Sequence, residues 1–200
     1  IPILVLFILA AIQGLTEFFP VSSSGHLVLA RSLLPGGDLF PAGGALEALL
    51  HLGTLGAILF YFRKRGLSLL GQAFSASSEG GIARQVLLVL IAGTLPLVLI
   101  TLMGRERLDA LFQSPTLASG GLLATAGLLA FSRGVRRGNR TLESLTLGQG
   151  LYLGIAQVCA LCPGVSRSGT VIVAGLILGL APAVAFEFAF LLAIPALAGA

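Results

Sequence analysis

Val21-Ser22-Ser23-Ser24-Gly25-His26 and Val165-Ser166-Arg167-Ser168-Gly169-Thr170 are two polar, Ser-Gly-rich stretches set inside hydrophobic sequence. They match at a fixed offset of 144 positions, which also pairs Gln13 with Gln157. Apolar residues follow both, Leu27-Val28-Leu29 in one copy and Val171-Ile172-Val173 in the other. The chain therefore reads as a duplication with one broken, polar segment per half. In a membrane protein, hydrophobic segments interrupted at corresponding positions of two halves point to the binding site.

The composition places the chain in a membrane. It is 56% hydrophobic and 10% charged, with a mean hydropathy of +1.02, whereas a soluble domain carries about 25% charged residues. At 200 residues it reads as one membrane domain. It starts at Ile1 without Met and stops inside an apolar run at Ala200, which suggests a trimmed fragment. The net charge of +4 is small and local, so it speaks of topology and not of nucleic acid. Cys159 and Cys162 form a C-x-x-C on an apolar segment, read as small packing residues because no second pair accompanies them.

Leu46–Phe62, Val86–Met103, Leu117–Phe131 and Pro182–Ala200 are apolar enough to span, while Ile1–Ile12 is too short to span alone. The segments around the Ser-rich motifs are about half a span long. Arg63-Lys64-Arg65 and Arg84 sit at one end of two spans, and Arg133, Arg136, Arg137 and Arg140 at the end of a third. Two spans separate the clusters, so both fall on one side, the cytoplasm by the positive-inside rule. Arg105, Glu106, Arg107 and Asp109 cancel and belong on the other side, and Gln72–Gly81 becomes a cytoplasmic loop. On this topology the first broken segment dips in from outside and the second from inside. The sequence thus predicts an all-α integral membrane protein, an inverted-topology repeat with two re-entrant, broken helix hairpins plus transmembrane helices. Repeat 1 covers about residues 1–65, connecting spans about 84–132 and repeat 2 about 145–200. Irregular backbone at membrane depth must be satisfied by protein or water, so the two loops are expected to face each other around a polar cavity.

Arg167 is the most informative residue, because an Arg inside a membrane pairs with an anion or lines a water-filled cavity. Its guanidinium suits phosphate. Pro163-Gly164 before it and Gly169 after it break the helix, and a helix starting near Ser168 would add backbone N–H groups and a positive dipole end. The competing reading is a structural Arg paired with Glu17 or Glu187. In the first copy Gln13 and Glu17 share a helix face, Pro20 ends the helix, Ser22, Ser23 and Ser24 offer hydroxyls, Gly25 bends the chain and His26 offers an imidazole. These groups fit nucleophilic or general acid–base chemistry, and Glu17 can hold a divalent cation beside phosphates. Hydroxyls that merely satisfy a broken helix are the bland alternative. Other polar residues weigh less. His51 reads as a packed or helix-bonded histidine, and Glu47 and Glu187 either line the cavity or sit at span ends. Thr94 and Pro96 read as a kink, and Arg133–Arg140 as a topology signal with lipid-headgroup contact as a secondary role.

At these residues the chain resembles the undecaprenyl-diphosphate phosphatase, or bacitracin-resistance, family over essentially all of its length. Gln13 to His26 is similar to the family's first signature and Pro163-Gly164-Val165-Ser166-Arg167-Ser168-Gly169 to its second. Gln13 stands where many members carry Glu, and Val171 where the second signature has Thr, with Thr170 one position early. The resemblance implies an integral hydrolase of the bacterial inner membrane, opening to the periplasmic side. It would remove the terminal phosphate of a C55 isoprenyl diphosphate to regenerate the carrier lipid of peptidoglycan synthesis, an activity tied to bacitracin resistance. It implies a divalent cation, Mg2+ or Ca2+, and closing helices beyond Ala200. Carried over, Glu17, Ser23, His26 and Arg167 form the catalytic set, with Glu17 as the metal ligand. Gln13, Ser22, Ser24, Gly25, Gly164, Ser166, Ser168, Gly169 and Thr170 bind substrate. The nucleophile is left open between Ser23, His26 and water. The partners are a polyprenyl diphosphate and membrane lipids, without nucleic acid, and a homodimer is compatible with this reading. The rival function is a polyprenyl-phosphate flippase or another inverted-repeat anion or lipid transporter, since such repeats serve alternating access. A catalytically dead relative, prompted by Gln13 and Val171, is the third reading. The copies diverge, one carrying Glu and His and the other Arg, as a division of catalytic labour requires.

Overall fold

The structure, a computed structural model, describes residues 2–39 and 45–199. The side chains of residues 105–110 lie outside this set, and with them the expected charge cancellation among Arg105, Glu106, Arg107 and Asp109. Regular structure among the described residues is helical: α1 (Pro2–Phe18), α2 (Ser23–Leu33), α3 (Ala45–Ala73), α4 (Ser78–Leu111), α5 (Pro115–Ser132), α6 (Leu147–Val158), α7 (Arg167–Ile177) and α8 (Pro182–Ala198). Short 3-10 turns at Gly37–Leu39, Leu142–Ser144 and Cys159–Leu161 join them. The fold class is the all-α membrane protein that the sequence predicts.

Three helical stretches are long and apolar enough to cross a bilayer, namely α3, the Ser78–Gly104 part of α4, and α5. α8, at 17 residues, falls just short of the roughly 20 a perpendicular span requires. Large apolar side chains such as Phe7, Leu49, Phe60, Leu88, Leu123 and Phe131 point outward, which suits hydrocarbon and not water.

Three boundaries differ from expectation. α3 does not end at Phe62 but continues through Arg63-Lys64-Arg65 to Ala73. Charged and straight-chain residues are good helix formers, so the basic cluster marks where the helix leaves the apolar layer and not where it stops. The expected loop Gln72–Gly81 shrinks to residues 74–77, closed by the Ser77 hydroxyl accepting from Gly80 N–H at 3.2 Å. α4 runs through Pro96, and its non-helical dihedrals fall at Gly104 (φ −131°, ψ 15°).

Two hairpins carry the motifs. α1 packs on α2, and α6 on α7, each pair broken at its Ser-rich stretch. The core lies among α4, α6, α7 and α8, where Val86, Val89, Leu153, Val171, Phe188 and Leu192 are buried. α6 lies close against α4: a Cβ at Gly154 would sit 2.3 Å from the Gly93 carbonyl oxygen, the close backbone approach that small residues permit in membranes. Cys159 and Cys162 flank the 3-10 turn of the second hairpin as free thiols, with Cys159 exposed rather than packed.

Candidate active site at the meeting of two broken helices

The two breaks are built alike. Ser22 caps α2 by accepting from Gly25 N–H at 3.3 Å, and Ser166 caps α7 by accepting from Gly169 N–H at 3.0 Å. Ser22 and Ser24 hydroxyls lie 3.3 Å apart, as do those of Ser166 and Ser168. His26 Nδ1 donates to the Ser22 carbonyl at 2.7 Å, and Thr170 Oγ1 to the Ser166 carbonyl at 2.7 Å. Each cap satisfies N–H groups that a helix start otherwise orphans. The backbones differ at Ser22, whose φ of +68° is positive where Ser166 has −75°, and at Gly164, whose φ of +86° stands opposite Pro20 in the first copy. A non-glycine residue in that region holds local strain, which clusters at functional sites.

The loops touch each other. A Cβ on Gly25 would lie 2.6 Å from Gly164 Cα, and one on Gly169 would lie 3.0 Å from the Pro20 carbonyl. Those two contacts are related by the repeat offset, so the hairpins meet tip to tip. Gly164 itself has φ +86° and abuts the Ala118 carbonyl of α5. Thr125 of α5 fastens the second loop: its buried hydroxyl donates to the Gly164 carbonyl at 2.8 Å and accepts from Ser166 N–H at 2.9 Å. The sequence reading did not single out Thr125. An isolated Thr in an apolar span carries no local signal, because its partners lie 39 and 41 residues away.

Glu17 joins the halves. Its Oε2 accepts from Ser23 Oγ at 2.5 Å and from Gln13 Nε2 at 3.0 Å, while its Oε1 accepts from Arg167 Nη2 at 2.9 Å. The pair Arg167–Glu17, weighed above as a structural alternative, is thus present, and it spans 150 residues. It does not remove Arg167 from chemistry. A guanidinium has five N–H donors and remains partly exposed here, at 24% of its side chain.

A cavity of about 380 Å3 lies over these groups. Glu17, Ser22, Ser23, Ser24, Ser166, Arg167 and Ser168 line it, together with Glu47, His51 and Gln157. The predicted polar cavity between the two loops is there. Of the other expected site residues, Gln13, His26, Gly25, Gly164, Gly169 and Thr170 are not among the lining residues. Val171 is buried in the core, so a hydroxyl at that position would be directed away from the cavity. Glu47 lines the cavity and pairs with Arg31 of α2 at 3.2 Å, both almost buried. Glu187 does not; it pairs with Arg65 at 2.8 Å, outside the cavity lining. Sequence reasoning passed over Arg31, and it read His51, which lines the cavity, as a packed or helix-bonded histidine. His51 lacks a motif, and Arg31 is explained only by its partner in another helix.

The arrangement suits an anion. Two helix N-termini, at Ser23 and Arg167, begin at the cavity and bring hydroxyls, backbone N–H groups and positive dipole ends. Mg2+ commonly uses one or two carboxylates plus substrate phosphates. Glu17 and Glu47 both line the cavity and are carboxylates of that kind, although no group of three His, Cys, Asp or Glu side chains poised for a metal occurs among the described residues.

Residues 6–200 match the family described as Bacitracin resistance protein BacA. Among curated relatives, an undecaprenyl-diphosphatase of Syntrophotalea carbinolica is 41% identical over 194 residues, covering 96% of this chain and 73% of its own length. One of Dichelobacter nodosus is 41% identical over 202 residues, covering 97% and 73%. One of Mycobacterium leprae is 39% identical over 199 residues, covering 94% and 67%.

Proposed function

The chain belongs to the bacitracin resistance protein BacA family, and from that premise we propose that it is an undecaprenyl-diphosphatase acting at the cavity between its two broken helices. It is a membrane-embedded hydrolase, and its substrate is an isoprenyl diphosphate. The observation that carries the catalytic reading is the Glu17 carboxylate, held by Ser23 from one half and Arg167 from the other.

The free N–H groups of Arg167 and the starts of α2 and α7 bind the diphosphate and face the charge that builds during phosphoryl transfer. Ser23 is the nucleophile. Its oxygen forms a bond to the terminal phosphorus as the bond from that phosphorus to the bridging oxygen breaks, releasing the polyprenyl monophosphate. The Ser23 proton passes to Glu17, 2.5 Å away, and from Glu17 to the bridging oxygen of the departing monophosphate, which leaves Glu17 ionised again. Water then attacks the phosphoseryl group, giving its proton to Ser23 and releasing inorganic phosphate. Glu17 and Glu47 would hold a divalent cation carried with the diphosphate, whose contribution is to neutralise phosphate charge. Gln13 orients Glu17 through its amide N–H, a role that Gln performs as well as any neutral donor. His26, with Nδ1 committed to the Ser22 carbonyl, fixes the loop that presents Ser23.

The same architecture supports the orientation. Arg65 reaches Glu143 and Glu187, and Arg140 bonds across to Gly179 and Ala181, so both basic clusters gather at one end of the bundle. The cavity is lined by Thr101, Leu102 and Leu197, from the opposite ends of α4 and α8. With the basic end in the cytoplasm, the cavity opens to the periplasmic side of the inner membrane, and the two hairpins are re-entrant from opposite faces as an inverted repeat. Repeat 1 then ends near residue 65, and repeat 2 begins near residue 145.

Phosphate release from undecaprenyl diphosphate by the purified protein tests the assignment. Arg167→Ala is expected to lower kcat/KM by about 10^2–10^3-fold, and wild-type turnover in a folded Arg167→Ala protein would sink it. In sealed vesicles, headgroup translocation without phosphate release would instead favour the transporter reading.

A further inference from the structure

We infer that His51 is a substrate-contacting residue, whose imidazole N–H donates to the diphosphate in the cavity. The inference rests on the phosphatase reading and adds to it a residue outside both motifs. The chain has two histidines. His26, inside the first motif, spends Nδ1 on the Ser22 carbonyl and does not line the cavity. His51, on α3, does line it, beside Glu17, Ser23 and Arg167, and is only partly buried.

The charge balance of the wall gives His51 its task. Among the described lining residues, two carboxylates, Glu17 and Glu47, face the cavity against one guanidinium, Arg167. Arg167 is already paired to Glu17 at 2.9 Å, and Arg31 to Glu47 at 3.2 Å from behind the wall. Beyond the free N–H groups of Arg167, no Lys or Arg remains among the described lining residues to meet a group that brings several negative charges. Among the described lining residues His51 supplies the one ring N–H donor. Its position follows from helix geometry: Glu47 and His51 are four residues apart, so they share the face of α3 turned to the cavity. The Arg31–Glu47 pair anchors the start of that face to α2, which carries Ser23.

A donor to bound phosphate acts in ground state and transition state alike, so its loss raises KM and leaves kcat nearly unchanged. The test compares His51→Leu and His51→Gln, the latter keeping an N–H donor, by phosphate release from undecaprenyl diphosphate and by calorimetric binding of inorganic pyrophosphate. The expected result for His51→Leu is a rise of about 10–100-fold in both KM and the pyrophosphate Kd, the span of one charge-assisted hydrogen bond. His51→Gln should rise only about 2–5-fold, since an amide donor replaces the lost one in part. An unchanged Kd in His51→Leu would overturn the inference, as would a fall in kcat at constant KM or a His51→Gln protein as impaired as His51→Leu. His51→Ala serves where Leu is not accommodated, with folding checked by thermal unfolding. Wild-type protein that binds pyrophosphate through His51 yet releases no phosphate would defeat the phosphatase reading and leave this contact standing.

Discussion

Glu17 is the residue on which the two halves of the chain converge, with Gln13 and Ser23 from its own half and Arg167 from the other. Glu17→Gln keeps the volume but removes the proton acceptor, so kcat is expected to fall about 10^2–10^4-fold with little change in KM, read by phosphate release. Arg167→Lys should fail to restore activity to within about tenfold of wild type, since a point charge cannot reproduce the planar fork. The sequence pointed to Glu17, Ser23 and Arg167 because a charge or a hydroxyl cluster in an apolar run needs a reason. It put His26 in the catalytic set and set His51 aside as a packed or helix-bonded histidine. That distinction depends on where each imidazole lies, and His26 turns back on its own helix while His51 faces the cavity.

At the scale of elements, the site depends on two short helices beginning at the same place. α2 and α7 are 11 residues each, too short to be stable alone, and they are held by their caps, by each other and by α5. Thr125 is the buried fastening, serving the Gly164 carbonyl and the Ser166 N–H together. Thr125→Val keeps the shape but orphans both groups, so it should destabilise the protein by about 2–4 kcal/mol and lower kcat, with thermal unfolding and turnover as the two readouts. Gly164→Ala meets both a positive φ and the Ala118 carbonyl, and is expected to lower the unfolding temperature further than Thr125→Val. The breaks were legible in sequence from Pro, Gly and Ser at corresponding positions. The continuation of α3 past its basic cluster was not, because charge marks the edge of the apolar layer and is silent on the helix itself.

Across the whole molecule, the end opposite the cavity is closed by Arg65, which reaches Glu143 beyond α5 and Glu187 of α8. The Arg65 guanidinium hydrogen-bonded to Glu143 holds that carboxyl below the usual carboxylate range, against a smaller opposing effect of burial. A carboxyl with a depressed folded pKa adds stability above its ordinary pKa, and the gain is lost as pH falls through the folded value. The difference in unfolding temperature between wild type and Glu143→Gln should therefore be present at neutral pH and vanish on acidification. It should be small, since both partners are more than a third exposed. The sequence by itself determined the class of protein, the duplication and the two loops that matter, because hydropathy, Pro-Gly breaks and an Arg inside a Ser-Gly stretch are local facts. Only the tertiary structure decided that Arg167 meets Glu17, that Thr125 and Arg31 support the site, and that His51 rather than His26 faces the cavity. Those are contacts between residues far apart in the chain, fixed by how the hairpins pack against the long helices.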